Sequence, residues 1–281
     1  MPAPPSDARS FLSTIQESRT SGDDGVILRV TPGIDLGALR AARFFMLRRE
    51  DDLSPGIPRP FSAYRLLPDG DLEFLIKVMG RGTRALAESA PGTQLRTIGP
   101  LGNGWPTLDG DGAPWVMLAG GIGSAPFYMG MQQSLAGMDG AKATTPDQLT
   151  LIYGAARAGL LYDFADFAAL GPRVLAATDD GSRGFQGNVV EHLEAEWEAG
   201  RIPEKVRLLA CGPEPMMAAV ARTAERRGLE CWVSLETLMG CGVGICNGCA
   251  VETQPDGPLG DWPMAKCCVE GPVFPAPAIK V

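Results

Sequence analysis

Residues 241–249 read CGVGICNGC, and two further cysteines follow at Cys267 and Cys268. Cys241, Cys246 and Cys249 thus stand in a C-x4-C-x2-C arrangement within one loop. That is the ligand spacing of a plant-type 2Fe–2S cluster, whose fourth thiolate arrives from further along the chain. Gly242, Gly244 and Gly248 separate the thiols. Glycine there permits unusual backbone and lets amide N–H groups turn toward sulfur. Two other uses of the thiols compete. A secreted disulfide framework fits poorly, because only 7 cysteines lie in 281 residues and no secretory signal opens the chain. Structural zinc commonly takes two C-x2-C knuckles, or one with two histidines, and the single histidine here is distant. The favoured reading is a cluster, and with it a protein that moves single electrons.

Upstream of that loop the chain changes rhythm twice. A Pro/Ser-rich start, MPAPPSDARS, is expected to fray, and residues 1–22 are read as a flexible tail. Between 23 and 110, short β-like runs such as GVILRV, RFFMLRR and DLEFLIKVMG alternate with Pro and Gly, which predicts a small antiparallel barrel or sandwich. From 111 to 229, WVMLAGG, LTLIYGA, RVLAATD and VRLLACG are four apolar strands, each followed by a glycine turn or helical pattern. That alternation predicts an α/β domain with a parallel sheet. The remainder, 230–281, is the cysteine-rich module. Acidic residues outnumber basic ones by 33 to 25, for a net charge of −8, and no basic–aromatic patch occurs, so nucleic acid and anionic membranes are not expected partners. No apolar run has the length of a membrane span, and reduced thiols point to the cytoplasm.

Three glycine segments stand where ligands are usually held. LAGGIGSAPF places Gly121-x-Gly123-x-x-Pro126 after a strand and before a helix. Such a turn brings backbone close to a pyrophosphate at a helix N-terminus, although strand–glycine turns also occur without ligands. KVMGRGTRALAE offers Gly80, Gly82 and Thr83 as a second anion cradle or simply a sharp turn, with Arg59-Pro60-Phe61-Ser62 upstream as a guanidinium and hydroxyl source. In ACGPEPMM, Cys211 falls at the carboxyl end of a strand, where it is either a ligand-side or a buried structural thiol. The loop 177–187 is a ligand loop or a solvated turn, and His192 is read as an ordinary helix residue. No Ser/His or His/Asp constellation is evident, so no acid–base catalytic residue is expected.

In this order RPFS, GRGT, GPLGNGW, GGIGSAP, TDDGSRGFQG, ACGPEPMM, SLETLMGCGVGICNGC and KCCVEGPVF run across nearly the whole chain. The sequence resembles the electron-transfer subunits of NAD-linked dihydroorotate dehydrogenase, a branch of the ferredoxin-reductase superfamily. The resemblance implies a ferredoxin-reductase-like fold: an FAD-binding β-barrel, an NAD-binding α/β domain and a C-terminal 2Fe–2S module. It implies flavin contacts from Arg59, Pro60, Phe61, Ser62, Leu75, Ile76, Lys77, Gly82 and Thr83, and cluster ligation by Cys241, Cys246, Cys249 and Cys268. Gly121, Gly123 and Cys211 would then face NAD. Its last ligand stands three residues before the GP of GPVF, which selects Cys268 over Cys267. The implied role is electron transfer, in pyrimidine biosynthesis, between NAD and an FMN-containing catalytic subunit within a two-plus-two heterotetramer. FAD/2Fe–2S subunits of ferredoxin:NADP oxidoreductase or sulfhydrogenase type share this domain order, and a non-enzymatic metal-binding or regulatory module is the alternative of a different class. The stretch VETQPDGPLGDWPMAK is longer than that pattern. Arg157, in YGAARAG, leaves NAD against NADP open, since an arginine there suits a 2′-phosphate.

Overall fold

The computed structural model describes residues 7–51 and 55–280. Its first sheet is wholly antiparallel and holds β1 (Arg9–Ser21), β2 (Gly25–Pro32), β3 (Phe44–Arg49), β4 (Arg59–Ser62), β5 (Arg65–Leu66), β6 (Leu72–Lys77) and β7 (Gln94–Leu101). The spatial order is β4-β3-β7-β1-β2-β6-β5. β4, at one end of that order, also meets β6 near the other, so the sheet curls as the expected barrel does. Helix α1 (Arg81–Ala87) follows β6.

The expected tail differs over residues 9–21, which form the longest strand and pair with both β2 and β7. Phe11, Ser13 and Ile15 alternate inward there, the period-2 burial of a strand with one face on the core. Residues 1–6 of that expectation lie outside the described residues.

The second sheet takes the four expected strands as β8 (Trp115–Gly120), β9 (Leu149–Ala155), β10 (Arg173–Thr178) and, after the two-residue β11 (Phe185–Gln186), β12 (Arg207–Cys211). It then adds β13 (Cys231–Ser234). The strands β14 (Ala250–Glu252) and β15 (Met264–Lys266) form a separate hairpin, and β16 (Val273–Pro275) returns antiparallel to β13. The order is β11-β10-β9-β8-β12-β13-β16, with every neighbour parallel except the last. Helices α2 (Ala125–Ala136), α3 (Phe164–Ala169), α4 (Val189–Glu198) and α5 (Glu214–Arg227) make the crossovers. The boundary expected at 230 therefore falls inside this sheet: Trp232 is half-buried while Val233 and Ser234 are buried, and β13 extends the nucleotide-type sheet before the cysteine loop begins.

Chain order reverses at β8, with β9 on one side and β12 on the other. The crevice beyond the carboxyl ends of β8 and β12 is the topological switch point where open α/β sheets bind ligands. Of the four helices, α4 alone starts from a side-chain cap. The Asn188 side chain accepts from the amides of Val190 and Glu191, and the Asn188 amide donates to Glu191 Oε2 at 2.9 Å. His192 is buried in α4, stacked on Phe185 with ring centroids 4.6 Å apart.

Charge fastens the two sheets together. Arg65 Nη2 donates to Asp163 Oδ2 and Asp166 Oδ2, both at 2.6 Å, while Arg65 Nη1 lies 3.3 Å from Glu73 Oε2. The Arg65, Asp163 and Glu73 side chains are only 9–12% exposed. Burial pushes the Glu73 carboxyl above its usual range, and Arg65 and Arg19 only partly offset it. The folded state thus binds this proton more tightly than the unfolded chain does. Glu73 contributes stability below the ordinary carboxylate range and loses it as pH rises through the raised value. Urea midpoints should therefore fall less steeply with rising pH in Glu73→Gln than in the parent; parallel curves would contradict this origin.

Candidate functional site

Strands β4 and β6 build a slot. They are joined at its closed end, where the Tyr64 amide donates to Glu73 O at 2.9 Å and β5 pairs with β6 at Arg65↔Glu73 and Leu66↔Leu72. Among the described residues, no strand pairs with that edge of β6 beyond Glu73, and β4 pairs with β3 alone. Two strand edges that lack strand partners among the described residues therefore lie close together, where a flat polar ring can take backbone hydrogen bonds. Leu75 and Ile76 have buried side chains, so this edge offers their backbone, while Lys77 is half-buried near Asp24, Nζ to Oδ2 at 3.7 Å. Pro60, Phe61 and Ser62 are half-buried along β4.

The outer end of the slot is shaped by glycine. A Cβ on Gly82 would stand 2.1 Å from Arg59 Nε and 2.2 Å from its Cζ, so the guanidinium lies flat where a side chain would be. Thr83 Oγ1 accepts from the amides of Met79 at 2.9 Å and Gly80 at 3.1 Å, which fixes the turn into α1. Arg59, Gly82 and Thr83 are thus brought together.

The turn Gly121–Ser124 sits beside β6 and continues into α2. It is a single 3-10 turn, unlike a G-x-G-x-x-G loop. Gly121 has φ +54°, and a Cβ on Gly123 would strike the Cys211 carbonyl oxygen at 2.3 Å. The turn is therefore pressed against the end of β12 at the switch point. Cys211 pairs in register with Ser234, and burial pushes its thiol up to about 12, with the nearby Glu236 charge adding to the rise. The thiol is neutral at pH 7.

The cysteine loop lies against the back of the same barrel. A Cβ on Gly242, at φ +73°, would meet Met46 Cγ at 2.6 Å and Leu101 Cδ1 at 3.0 Å. Met46 is the register partner of Pro60 in β4, so one strand separates the loop from the slot. Asn103 clamps the module: its Nδ2 donates to Glu270 O at 2.9 Å and Val273 O at 2.7 Å, and its Oδ1 accepts from the Val273 amide at 3.2 Å. Lys266 Nζ holds Gly244 O at 2.7 Å.

The sulfurs fall into two close pairs. Cys249 Sγ lies 3.2 Å from Cys268 Sγ, and Cys241 is hydrogen-bonded by Cys246. Among the described residues, no three His, Cys, Asp or Glu side chains close around a single metal ion. Two thiol pairs are what the two irons of a 2Fe–2S cluster need. Burial pushes the Cys241 thiol up, but amides of Cys246, Val243 and Ile245 outweigh it and bring it down to about 6, the thiolate that binds metal. The Val243 and Cys246 amides reach Cys241 Sγ at 3.4 Å. Cys267 faces elsewhere, its Sγ toward Leu235 O at 3.8 Å and Thr237, and its side chain is fully buried.

Sequence reasoning missed Met46, whose burial reads as core, and the roles of Asn103 and Lys266. GPLGNGW was noticed as a segment, but its asparagine had no visible partner.

Comparison with known proteins gives these parts their family. Residues 236–280 match the model for the iron–sulfur cluster binding domain of dihydroorotate dehydrogenase B, and residues 117–222 match the oxidoreductase NAD-binding domain. The dihydroorotate dehydrogenase B (NAD(+)) electron transfer subunit of Desulforamulus reducens is 33% identical over 237 residues, covering 83% of this chain and 84% of that one. Its counterpart in Bacillus caldolyticus is 34% identical, covering 79% of each chain. In fold the chain resembles a chain from the structure of NADH-dependent reduced ferredoxin–NADP oxidoreductase, with TM-score 0.78, 24% identity, and coverage of 95% and 89%. A ferredoxin NADP+ reductase from Neisseria gonorrhoeae superposes with TM-score 0.62, 19% identity, and coverage of 78% and 92%. The chain belongs to the family of dihydroorotate dehydrogenase B (NAD(+)) electron transfer subunits.

Proposed function

We propose that this chain relays electrons from a dihydroorotate-oxidising, FMN-containing partner subunit to NAD+, through a 2Fe–2S cluster and FAD, in the cytoplasm. The observation that carries the reading is the slot between β4 and β6, with the Gly121–Ser124 turn on one side and the Met46–Gly242 contact leading to the cysteine loop on the other. A flavin, when bound, exchanges a hydride with nicotinamide and single electrons with a cluster.

The chain's own residues position these groups. Arg59 and the Gly82–Thr83 turn would take the flavin pyrophosphate, and the backbone of Leu75, Ile76 and Lys77 the ring edge. Ser62 and the strand residues Pro60 and Phe61 would complete that wall. Gly121 and Gly123 would admit the dinucleotide backbone at the switch point, and the neutral Cys211 thiol adds no charge beside the nicotinamide. Cys241 with Cys246, and Cys249 with Cys268, would hold the two irons. Leu238 and Ile245 are 88% and 80% exposed beside that loop, with Val243 at 42%. Such apolar exposure around a redox centre fits a docking partner, and the Met264 and Trp262 side chains extend it onto the β14–β15 hairpin and its loop.

Two tests address the reading. A chain reconstituted with its dihydroorotate-oxidising partner should reduce NAD+ when given dihydroorotate; a stable complex with no NAD+ reduction would redirect the assignment to another electron donor. Gly82→Ala should push the Arg59 guanidinium, the far end of a flexible side chain, out of its place over the turn at little cost to stability. Flavin affinity should fall roughly tenfold or more, measured as flavin retained after gel filtration, and undiminished retention would remove Gly82 from the site.

A further inference from the structure

We infer that Asp23, on the turn between β1 and β2, sets the choice of dinucleotide by holding Arg157 away from a 2′-phosphate. This rests on the proposed nucleotide site at the carboxyl ends of the second sheet. At such ends an acidic residue takes the ribose 2′-hydroxyl of NAD, or an arginine takes the 2′-phosphate of NADP. Arg157 stands two residues beyond the end of β9, where an arginine of the second kind would be.

That arginine is occupied. Its Nε donates to Asp23 Oδ2 at 2.9 Å, and Nη2 reaches the same oxygen at 2.9 Å. The turn carrying Asp23 is fixed from three directions. The Asp23 amide donates to Gly159 O at 2.8 Å, and a Cβ on Gly159 would stand 2.2 Å from the Asp23 carboxylate. A Cβ on Gly22, at φ +64°, would meet Gly159 O at 2.4 Å. Tyr162 donates its hydroxyl to the neighbouring Asp24 at 2.5 Å. Glycine at 22 and at 159 is therefore what lets the carboxylate come so near the strand end.

The charges beside Arg157 act in the same direction. The loop after β10 is bonded to the loop after β9: the Asp179 amide donates to Ala155 O at 3.1 Å, Asp180 to Ala156 O at 3.2 Å, and the Ala158 amide to Ser182 Oγ at 2.8 Å. Asp23, Asp179 and Asp180 thus share one rim with Arg157. Of the other nearby cations, Arg183 lies over the Phe164 ring at 4.0 Å and Lys77 Nζ lies 3.7 Å from Asp24 Oδ2. A 2′-phosphate brought here would meet a cation already paired with Asp23 on an acidic rim; a 2′-hydroxyl meets an acceptor it can donate to.

Arg157 and Asp23 are both about half exposed, and an exposed pair is weak by itself. The effect of Asp23→Asn therefore combines the release of Arg157 with the loss of one negative charge. The test is equilibrium binding of 5′-ADP and 2′,5′-ADP to the purified flavin-loaded chain, its Asp23→Asn variant and the Asp23→Asn/Arg157→Ala double variant. The parent should prefer 5′-ADP. Asp23→Asn should tighten 2′,5′-ADP by roughly fivefold with little change for 5′-ADP, and the double variant should lose that gain. The NADPH to NADH ratio of kcat/KM in dye reduction should move in the same sense. An unchanged preference in Asp23→Asn, or a gain that persists without Arg157, would overturn the inference. If the parent binds neither nucleotide, the nucleotide site itself is wrong and the inference falls with it.

Discussion

Cys268→Ser is expected to abolish the iron–sulfur absorbance of the purified chain, while Cys267→Ser is expected to leave it intact. The two thiols are adjacent, so composition and general polarity cannot separate them. Both lie in the turn that follows β15, closed by the Val269 and Glu270 amides on Lys266 O at 2.9 Å, and that turn aims the two thiols apart. Cys268 Sγ lies 3.2 Å from Cys249 Sγ on the loop side, whereas Cys267 Sγ faces Leu235 O at 3.8 Å in the core. Burial pushes both thiols up to about 12, so the direction each faces, and not its acidity, separates them. The Cys267→Ser variant removes no ligand and should cost modest stability only. Iron content and visible absorbance of anaerobically prepared variants decide it: cluster loss in Cys267→Ser with retention in Cys268→Ser would reverse the assignment.

Arg65→Ala should be the most destabilising change outside the cysteine loop. One guanidinium answers Glu73, Asp163 and Asp166, and it also lies over the Tyr128 ring at 4.1 Å. Removing it leaves the buried Glu73 carboxyl of β6 and the Asp163 carboxylate at the start of α3 without the cation between them. Breaking such a pair costs about 3–5 kcal/mol, which lowers Tm by roughly 10 °C in a chain of this size. Asp163, at φ +52° just before α3, would keep Tyr64 at 2.7 Å and the more distant Arg19 at 3.5 Å as partners. A second consequence follows for function. The Arg65 cluster adjoins the closed end of the slot, through the Tyr64–Glu73 bond, and it joins the flavin-side sheet to the nucleotide-side sheet. NADH-dependent reduction should therefore suffer more than stability alone dictates. A loss below about 1 kcal/mol, the ordinary range for an exposed ion pair, would show that the cluster is solvated.

The nucleotide-side sheet was legible in the sequence because buried parallel strands are continuous apolar runs, and WVMLAG, LTLIYGA, RVLAAT and RLLAC all appear as such. Strand β1 was not. Its second half, QESRTS, is polar because residues 16–20 lie at or near solvent, and the Pro-rich start disguised the Phe11–Ser13–Ile15 alternation. Strand β13 has four residues and opens on a cysteine, so it merged with the thiol-rich segment that follows. The chemistry-bearing types and their spacing were readable, as the Cys241–Cys249 loop illustrates. What could not be read were pairings across long separations: Asp23 with Arg157, Asn103 with the Val273 backbone, and Met46 with Gly242. Each is set by how the sheets dock, and none leaves a local pattern.

Anaerobic titration of the purified chain with NADH, followed by flavin absorbance and low-temperature electron paramagnetic resonance, tests the central claim most directly. If the slot between β4 and β6 joins the nucleotide turn to the cysteine loop, NADH should bleach the flavin and produce the signal of a reduced 2Fe–2S cluster in the same chain. Flavin bleaching with the cluster left oxidised and electron-silent, or a colourless chain that binds zinc, would contradict it.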